Sequence, residues 1–499
     1  MVTTFQDILD EFTEAARSQR DKGTLFERLV ANYLVTDPQY ADRLSDVWLW
    51  NEWPDRPSTD VGIDLVARER GTAEYWAIQC KFYDPAHTLQ KADIDSFFTA
   101  SGKRFATRDG ERSFTQRLIV ATTDKWSSHA EEALADQTIP VTRLWFKDLA
   151  NSPIDWSQFS LSRVQDIRLK PKNTLRGHQI EAIEAVVNGF SRHDRGKLVM
   201  ACGTGKTFTA LRLAERVVPD DGRVLFLAPS ISLVSQTLRE WTAQAETPFH
   251  AFVVCSDTKV GQEEEDIRRY DLAYPATTDA RKLAEAAAKA APGRRTVVFS
   301  TYQSLQVVAD AQRQGFGVFD LIICDEAHRT TGLTLPGEDP SDFVKIHHNH
   351  LVQGEKRVYM TATPRIYAEA SKTKASEHEA VLFSMDDEAT FGSEFYRLGF
   401  GKAVDKDLLA EYKVLIVAVD EDRMGALANT YNRAYKIDDQ RALDIRFATK
   451  IIGSWTGLAK QGLVVIDEGG EQERLAEDTG PMRRAVAFSR SIKDSKQSP

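Results

Sequence analysis

Cysteine is scarce: four in 499 residues, Cys80, Cys202, Cys255 and Cys324, each standing alone in an apolar, strand-like run. That spacing supplies neither a disulfide framework nor a paired-cysteine zinc site, and it reads as four buried free thiols in a reducing compartment. No apolar stretch is long enough to span a bilayer, and the amino terminus, MVTTFQDILDEFTEAARS, carries acids where a signal peptide carries bases. The expectation is a cytoplasmic protein. Basic charge is not in excess either: Lys and Arg number 64 against 74 Asp and Glu, a net charge of -10. This argues against a passive coat on a polyanion but leaves room for a basic groove in an enzyme that acts on DNA. At ~150 residues per domain the length suggests about three domains.

What is present begins with Leu198 to Thr207, LVMACGTGKT, an apolar run that breaks into a glycine-bearing turn. Such a turn between strand and helix points several backbone N–H groups into one small space, where the negative charge of a phosphate chain can sit. Gly203, Thr204 and Gly205 supply the turn and Lys206 a point charge. Thr207 offers a hydroxyl to a phosphate-bound Mg²⁺, and the helix from Phe208 presents its positive dipole end. The stretch reads as a nucleotide triphosphate cradle, for ATP, with a Gly-rich turn that holds no ligand as the plain alternative; it departs from the P-loop pattern at Met200, where a small residue is usual.

The chain around it has the rhythm of a parallel α/β sheet, apolar strands spaced by helices. Ahead of the cradle, Gln179 opens a helix with an amide able to read the edge of adenine. After it come Ala228-Pro229-Ser230, then Ser300-Thr301-Tyr302-Gln303, then Asp325-Glu326-Ala327-His328 and Thr361-Ala362-Thr363-Pro364, each at the end of a strand-like run. Asp325 would share a Mg²⁺ with Thr207, Glu326 would draw a proton from the water that attacks the γ-phosphate, and His328 would relay the state of that site; the hydroxyls of Thr361 and Thr363 can bond to the acidic loop and shift when phosphate leaves. GTGKT, APS, STYQ, DEAH and TATP in this order resemble the first motor domain of superfamily 2 helicases and translocases, over about residues 173–368. The resemblance implies a RecA-like parallel-sheet domain in which the APS and STYQ loops line a nucleic-acid backbone. The stretch from Gly261 to Arg295 reads as an insertion with an acidic, solvated face and no chemistry.

The first third, residues 1–150, reads as a smaller α/β domain: two amphipathic helices, then strands and helices of a mixed sheet. Asp60-Val61-Gly62-Ile63-Asp64 precedes one strand and Gln79-Cys80-Lys81 ends the next. If the two pair as a hairpin, Gln79 and Lys81 share a face and can meet Asp64 across it. Asp64 and the Gln79 carbonyl would hold Mg²⁺, Lys81 would steady charge growing on a phosphodiester, and Glu27 on the second helix could support the metal. An ordinary cross-strand ion pair is the plain alternative. Trp48, Trp50 and Trp53 read as packing residues rather than base-stacking platforms. The pattern resembles the Mrr-like branch of the PD-(D/E)xK restriction endonucleases, in which QxK replaces an acid-x-Lys.

Residues 151–172 read as a linker and 369–499 as the start of a second RecA-like domain, with strands at Lys413–Val419 and Arg484–Phe488 and a helix across Arg441–Leu458. No QxxGRxxR-type helix with the arginines that complete a superfamily 2 ATP site occurs after Arg365, so a piece of a longer protein is expected. An Mrr-like nuclease ahead of such a motor is similar to single-polypeptide type I restriction-modification enzymes and type I motor subunits. That resemblance implies ATP-dependent tracking on double-stranded DNA coupled to Mg²⁺-dependent cleavage, with methylation and target recognition in further regions or subunits. The alternative is a repair or RNA-handling helicase with a non-cutting nucleic-acid clamp.

Overall fold

The computed structural model describes residues 4–57, 62–135, 137–161, 166–255, 269–272, 274–335, 341–377, 380–411, 464–466 and 472–474. They fall into two compact units, the larger reaching to Leu409.

Two helices open the chain. In α1 (Phe5–Ala15) the apolar residues Phe5, Ile8, Leu9 and Phe12 recur at helical spacing and are buried, and Thr4 and Asp7 cap the first turn reciprocally. Helix α2 (Gln19–Thr36) buries Phe26, Leu29, Val30, Tyr33 and Leu34, and α3 (Pro38–Ala41) follows with proline in its first turn. The strands β1 (Leu44–Leu49), β2 (Leu65–Glu69) and β3 (Tyr75–Lys81) form an antiparallel meander. After α4 (Asp95–Ser101) come β4 (Arg104–Thr107), the long β5 (Gly110–Ala121), α5 (Ser128–Leu134), β6 (Val141–Leu144) and α6 (Phe146–Ala150). β5 runs parallel to both β3 and β6 and antiparallel to β4, so the sheet is mixed, as expected. Trp50 and Trp53 are buried in its second core with Tyr75, Phe105 and Phe114, which makes them packing residues.

The segment expected to be a linker from residue 151 departs from that reading. Ile154 and Trp156 are buried in the first core, the Trp156 ring 4.8 Å from Phe5, and its indole N–H donates to the carbonyl of Leu149 at 2.9 Å. Single apolar residues between prolines and serines carry no periodicity, so the sequence pattern could not register them.

The motor portion runs α7 (Gly177–Phe190), β7 (Arg195–Met200), α8 (Lys206–Val217), β8 (Arg223–Ala228), α9 (Ile231–Gln244), β9 (His250–Val254), β10 (Ala276–Thr277), α10 (Ala280–Ala288), β11 (Thr296–Thr301), α11 (Leu305–Ala311), β12 (Phe319–Cys324), β13 (Gly332–Thr334), β14 (Gly354–Thr361), α12 (Glu369–Glu377), β15 (Val381–Phe383), α13 (Glu388–Phe391), β16 (Ser393–Leu398) and α14 (Phe400–Asp405). Eight strands form one sheet in the order β10-β9-β11-β8-β12-β14-β7-β16, every neighbour pair parallel. The expected strands read as unbroken apolar runs because helices cover both faces. β13 and β15 pair separately.

Two differences from the sequence reading stand out. Residues 393–398, expected in a second domain, are the edge strand β16 of the first motor sheet, paired with β7. Its mostly half-exposed residues, SEFYRL, are those of an edge strand, which the sequence pattern does not tie to any one sheet. The strands and helix expected between 413 and 488 lie outside the described residues; in the second unit Val464–Ile466 (β17) and Gln472–Arg474 (β18) form an antiparallel hairpin. Of the cysteines, all free, only Cys255 and Cys324 are buried, while Cys80 is half-buried and Cys202 exposed. Cys202 lies past the end of β7, in the turn rather than the strand.

Behind the sheet's carboxyl edge a buried histidine ties two elements together. His347 lies 2.9 Å from the carbonyl of Thr330 through Nε2 and 2.9 Å from the Tyr359 hydroxyl through Nδ1. A carbonyl can only accept, so Nε2 carries the proton and Nδ1 accepts from tyrosine. Burial pushes its pKa down to about 3, which keeps the ring neutral.

Two tests follow from this packing. A Cβ on Gly196 would stand 2.3 Å from the Phe395 ring, which also lies over Gly189 and meets Phe190 edge-on. Gly196→Ala should cost about 2 kcal/mol and lower Tm by roughly 4–8 °C, read by thermal melting; an unchanged melt would place β16 elsewhere. His347 contributes stability that is fully present above its ordinary pKa of 6.5 and is lost as pH falls towards about 3, because only the unfolded chain takes up the proton. The stability advantage of wild type over His347→Gln should therefore shrink between pH 7 and pH 5 in parallel denaturation series.

Candidate active sites

The hairpin on which the first site depends is present. Leu65 pairs with Ile78, the Asp64 N–H donates to the Ile78 carbonyl at 3.0 Å, and Asp64 thus lies opposite Gln79 where β2 begins. Asp64 Oδ2 accepts from the Cys80 N–H at 2.7 Å, which anchors the carboxylate at the end of β3. Gln79 is 2% exposed; its amide N–H donates to the Gly62 carbonyl at 3.2 Å, while its buried Oε1 has no protein partner among the described residues. Gly62 has a left-handed φ of +87°, and a Cβ there would meet Ser96 Oγ at 3.0 Å, so the loop before Asp64 needs glycine.

The Cys80 thiol reports which charges converge here. Burial is the first cause that raises its pKa well above the ordinary value, followed by the carboxylates of Asp64 and Glu27, with Lys81 opposing. All three named charged groups act on one sulfur. An orphaned amide oxygen beside an anchored carboxylate is a donor set suited to a hard divalent cation. Among the described residues no three His, Cys, Asp or Glu side chains group as a metal cage.

The second site lies along the carboxyl edge of five adjacent strands, β11, β8, β12, β14 and β7, which deliver STYQ, APS, DEAH, TATP and GTGKT in that spatial order. In the cradle Gly203 and Gly205 take φ of +80° and +83°, and Lys206 Nζ reaches the Met200 carbonyl at 3.4 Å. His178 Nε2 donates to the Thr204 carbonyl at 2.9 Å. Gln179, the expected adenine reader, accepts from the Arg176 N–H at 2.9 Å and donates to the Gly205 carbonyl at 3.4 Å. One amide N–H and one lone pair remain on it, so it braces the cradle and keeps capacity for a base edge.

Asp325 is nearly buried and its Oδ1 has no protein partner among the described residues. Burial raises its pKa to about 6, Glu326 adds to this, and Lys206 opposes it. A stranded carboxylate facing a lysine in a phosphate cradle fits a Mg²⁺ ligand. Glu326 stands in the left-handed region at φ +48°, a conformation rare outside glycine. Its carboxylate lies 3.3 Å from His328 Nδ1, and the same nitrogen is 3.0 Å from Thr361 Oγ1. With a proton on Nδ1 the ring can donate to either oxygen; without one it can only accept from the Thr361 hydroxyl. Thr361 Oγ1 in turn accepts from the Thr363 N–H at 3.2 Å, so His328 contacts the Thr361 hydroxyl while Thr363 takes part through its backbone. Burial, above all, lowers the His328 pKa.

Three contributors escaped the sequence reading. Tyr302, fully buried, donates to the Asp325 carbonyl at 2.8 Å, which makes one STYQ residue a brace for the DEAH loop. His347 holds the far end of that loop at Thr330. Trp241 on α9 donates to the Thr207 carbonyl at 3.1 Å. A tyrosine or tryptophan inside an apolar run is a signal for a buried polar tip, though not for its partner.

Known proteins share both halves. A restriction endonuclease family, Mrr_cat_2, matches residues 35–166, and the Type III restriction enzyme res subunit family, ResIII, matches residues 172–366. The DNA-bound structure of the ATP-dependent Type ISP restriction-modification enzyme LlaBIII aligns with 99% of this chain and 30% of its own, at TM-score 0.78 and 37% identity. The Type I restriction enzyme EcoAI endonuclease subunit of Escherichia coli is 28% identical over 257 residues, 50% of this chain. A "Probable helicase" of African swine fever virus is 26% identical over 244 residues, 49% of this chain. The chain spans about a quarter of the length of these two curated relatives, 25% and 24%. Among the described residues no helix is long and apolar enough to cross a membrane. The chain thus joins a restriction endonuclease domain of the Mrr_cat_2 family, residues 35–166, to a ResIII helicase domain, residues 172–366, and it is similar to Type I and Type ISP restriction enzymes.

Proposed function

We propose that this chain is the nuclease-motor part of an ATP-dependent DNA restriction enzyme, working in the cytoplasm on double-stranded DNA. The observation that carries the reading is the presence of both constellations in one polypeptide: Glu27, Asp64, Gln79 and Lys81 around the end of β3, and the cradle, DEAH and TATP loops side by side on one sheet edge. LlaBIII, described as ATP-dependent and bound to DNA, supports duplex DNA as the substrate and ATP as the fuel.

In the motor, the turn 203–206 receives the phosphates, Gln179 meets the base, and Thr207 and Asp325 would hold Mg²⁺. Glu326 accepts a proton from the attacking water as the bond to the γ-phosphorus forms and the β–γ bridging bond breaks. His328 then exchanges its hold between Glu326 and Thr361, which signals phosphate loss to the TATP loop. In the nuclease, Asp64 and Gln79 would hold Mg²⁺ with Glu27 in support, and Lys81 steadies charge on the phosphodiester. When bound, Mg²⁺ supplies charge neutralisation and a more acidic water at both sites. Methyl transfer and target recognition belong to other regions or subunits of the enzyme.

Two substitutions separate the activities. Lys81→Ala should lower duplex cleavage by ~100-fold or more while ATP hydrolysis by the intact enzyme continues. Lys206→Ala should abolish hydrolysis and ATP-driven cleavage together while the endonuclease domain stays folded. Gel assays of DNA cleavage beside a phosphate-release assay read both; cleavage that persists undiminished in Lys206→Ala without nucleotide would sink the coupling. A wild-type enzyme that hydrolyses ATP and never cuts would instead favour a non-cutting clamp.

A further inference from the structure

Helix α9 touches the APS loop, the cradle helix and the endonuclease half. At its amino end Ser230, the last residue of the APS loop, caps the helix by accepting from the Leu233 N–H at 3.3 Å. Three turns on, Trp241 bonds to the Thr207 carbonyl in the first turn of the cradle helix. Between them Arg239 pairs with Asp148 of α6, in the endonuclease half. The same arginine acts electrostatically on Asp37, at the start of α3, whose carboxyl is pushed up to about 6 by burial. Asp148 is likewise raised by burial, with Arg239 opposing. The end of the connecting segment is fastened to the same helix: Lys172 Nζ donates to the Ala245 carbonyl at 2.6 Å and the Asn173 N–H to Gln244 Oε1 at 2.7 Å.

A second contact backs this one. Arg143 of β6, with 4% of its side chain exposed, pairs with Asp271 in the insertion before β10, and its guanidinium lies 3.9 Å from the Trp145 ring and 4.9 Å from Tyr270. The insertion, read from sequence as chemically idle, is therefore a dock for the endonuclease half. With that dock in place, α9 bonds to the cradle helix, to the APS loop and to α6 of the endonuclease half. Ser230 and Arg239 are nine residues apart, ~13 Å along the axis, and a helix whose Ile231, Val234, Leu238 and Trp241 are buried moves as a body.

We propose that α9 conveys the state of the ATP site and of the strand-tracking loop to the endonuclease domain, with Arg239 and Asp148 as its output contact. This rests on the nuclease-motor reading and adds the route by which the two activities are linked. Arg239 is a positioning residue: it touches neither nucleotide nor the cutting groups. A purely structural role would hold the halves together without making cleavage depend on hydrolysis.

The test compares wild type, Arg239→Gln and Arg239→Lys in the full-length enzyme. Arg239→Gln should hydrolyse ATP on DNA at the wild-type rate yet cut roughly 10-fold fewer duplexes per ATP consumed, and Arg239→Lys should recover most of the loss. A non-hydrolysable ATP analogue should change amide hydrogen exchange across 146–150 in wild type and not in Arg239→Gln. An unchanged cutting-to-hydrolysis ratio in Arg239→Gln overturns the proposal, as does a parallel fall of both activities. Wild-type exchange at 146–150 that ignores the analogue also overturns it, and this arm decides even if Arg239→Gln fails to fold, since an isolated buried carboxylate is costly. A wild type that neither cuts nor hydrolyses rejects the nuclease-motor reading instead, with the exchange arm still judging the helix.

Discussion

A sheet whose strands are all parallel and covered on both faces leaves polar chemistry one place to go. In β7, β8, β11, β12 and β14 nearly every side chain is buried and the backbone groups are satisfied by the ladder. Charged and hydroxyl side chains therefore collect in the loops at the carboxyl edge, and parallel pairing places five of those loops next to one another. TATP lies between the cradle and DEAH because β14 lies between β7 and β12. Proximity of motifs spread over residues 203–364 is thus a consequence of strand order.

Crowding at that edge has an electrostatic cost that is itself informative. Asp325 is held nearly out of water beside Glu326, and its pKa rises to about 6. Its Oδ1 has no protein partner among the described residues, and a buried carboxylate oxygen left unpaired is unfavourable, so the fold maintains the group for something that neutralises it, with Lys206 and the Glu326 N–H only partly doing so. The endonuclease half repeats the device more cheaply. There the unsatisfied atom is the amide oxygen of Gln79, neutral and therefore tolerable in the core, while Asp64 is steadied by the Cys80 N–H.

Local signals were legible in the sequence and relationships between distant segments were not. The cradle, DEAH and TATP are contiguous strings with their own geometry, and the Asp64 and Gln79–Lys81 pair sits on one hairpin, so short-range periodicity sufficed. Tyr302 on Asp325, His347 between Thr330 and Tyr359, and β16 beside β7 join residues 23, 12 to 17 and about 195 positions apart. A tyrosine or histidine in an apolar run looks like core whether or not its polar tip has a task. The insertion before β10 shows the converse: its acidic run at 263–266 lies outside the described residues, while Asp271, a single acid further on, is buried against Arg143.

Net charge misleads for the same reason. A balance of -10 suggests a surface that repels DNA, but the balance counts charges that never face solvent. Arg143 and Arg239 are engaged between the two halves, Arg357 is fully buried with its carbonyl and amide partners, and Asp37, Asp148 and Asp325 are buried carboxylates. Interior charges on both sides leave the sum almost unrelated to the field at any one groove, because screening limits each exposed group to about 8–10 Å. What a polyanion meets is set locally by the strand-end loops and the groups beside them. For a protein of this architecture, charge composition constrains solubility far more than it constrains the partner.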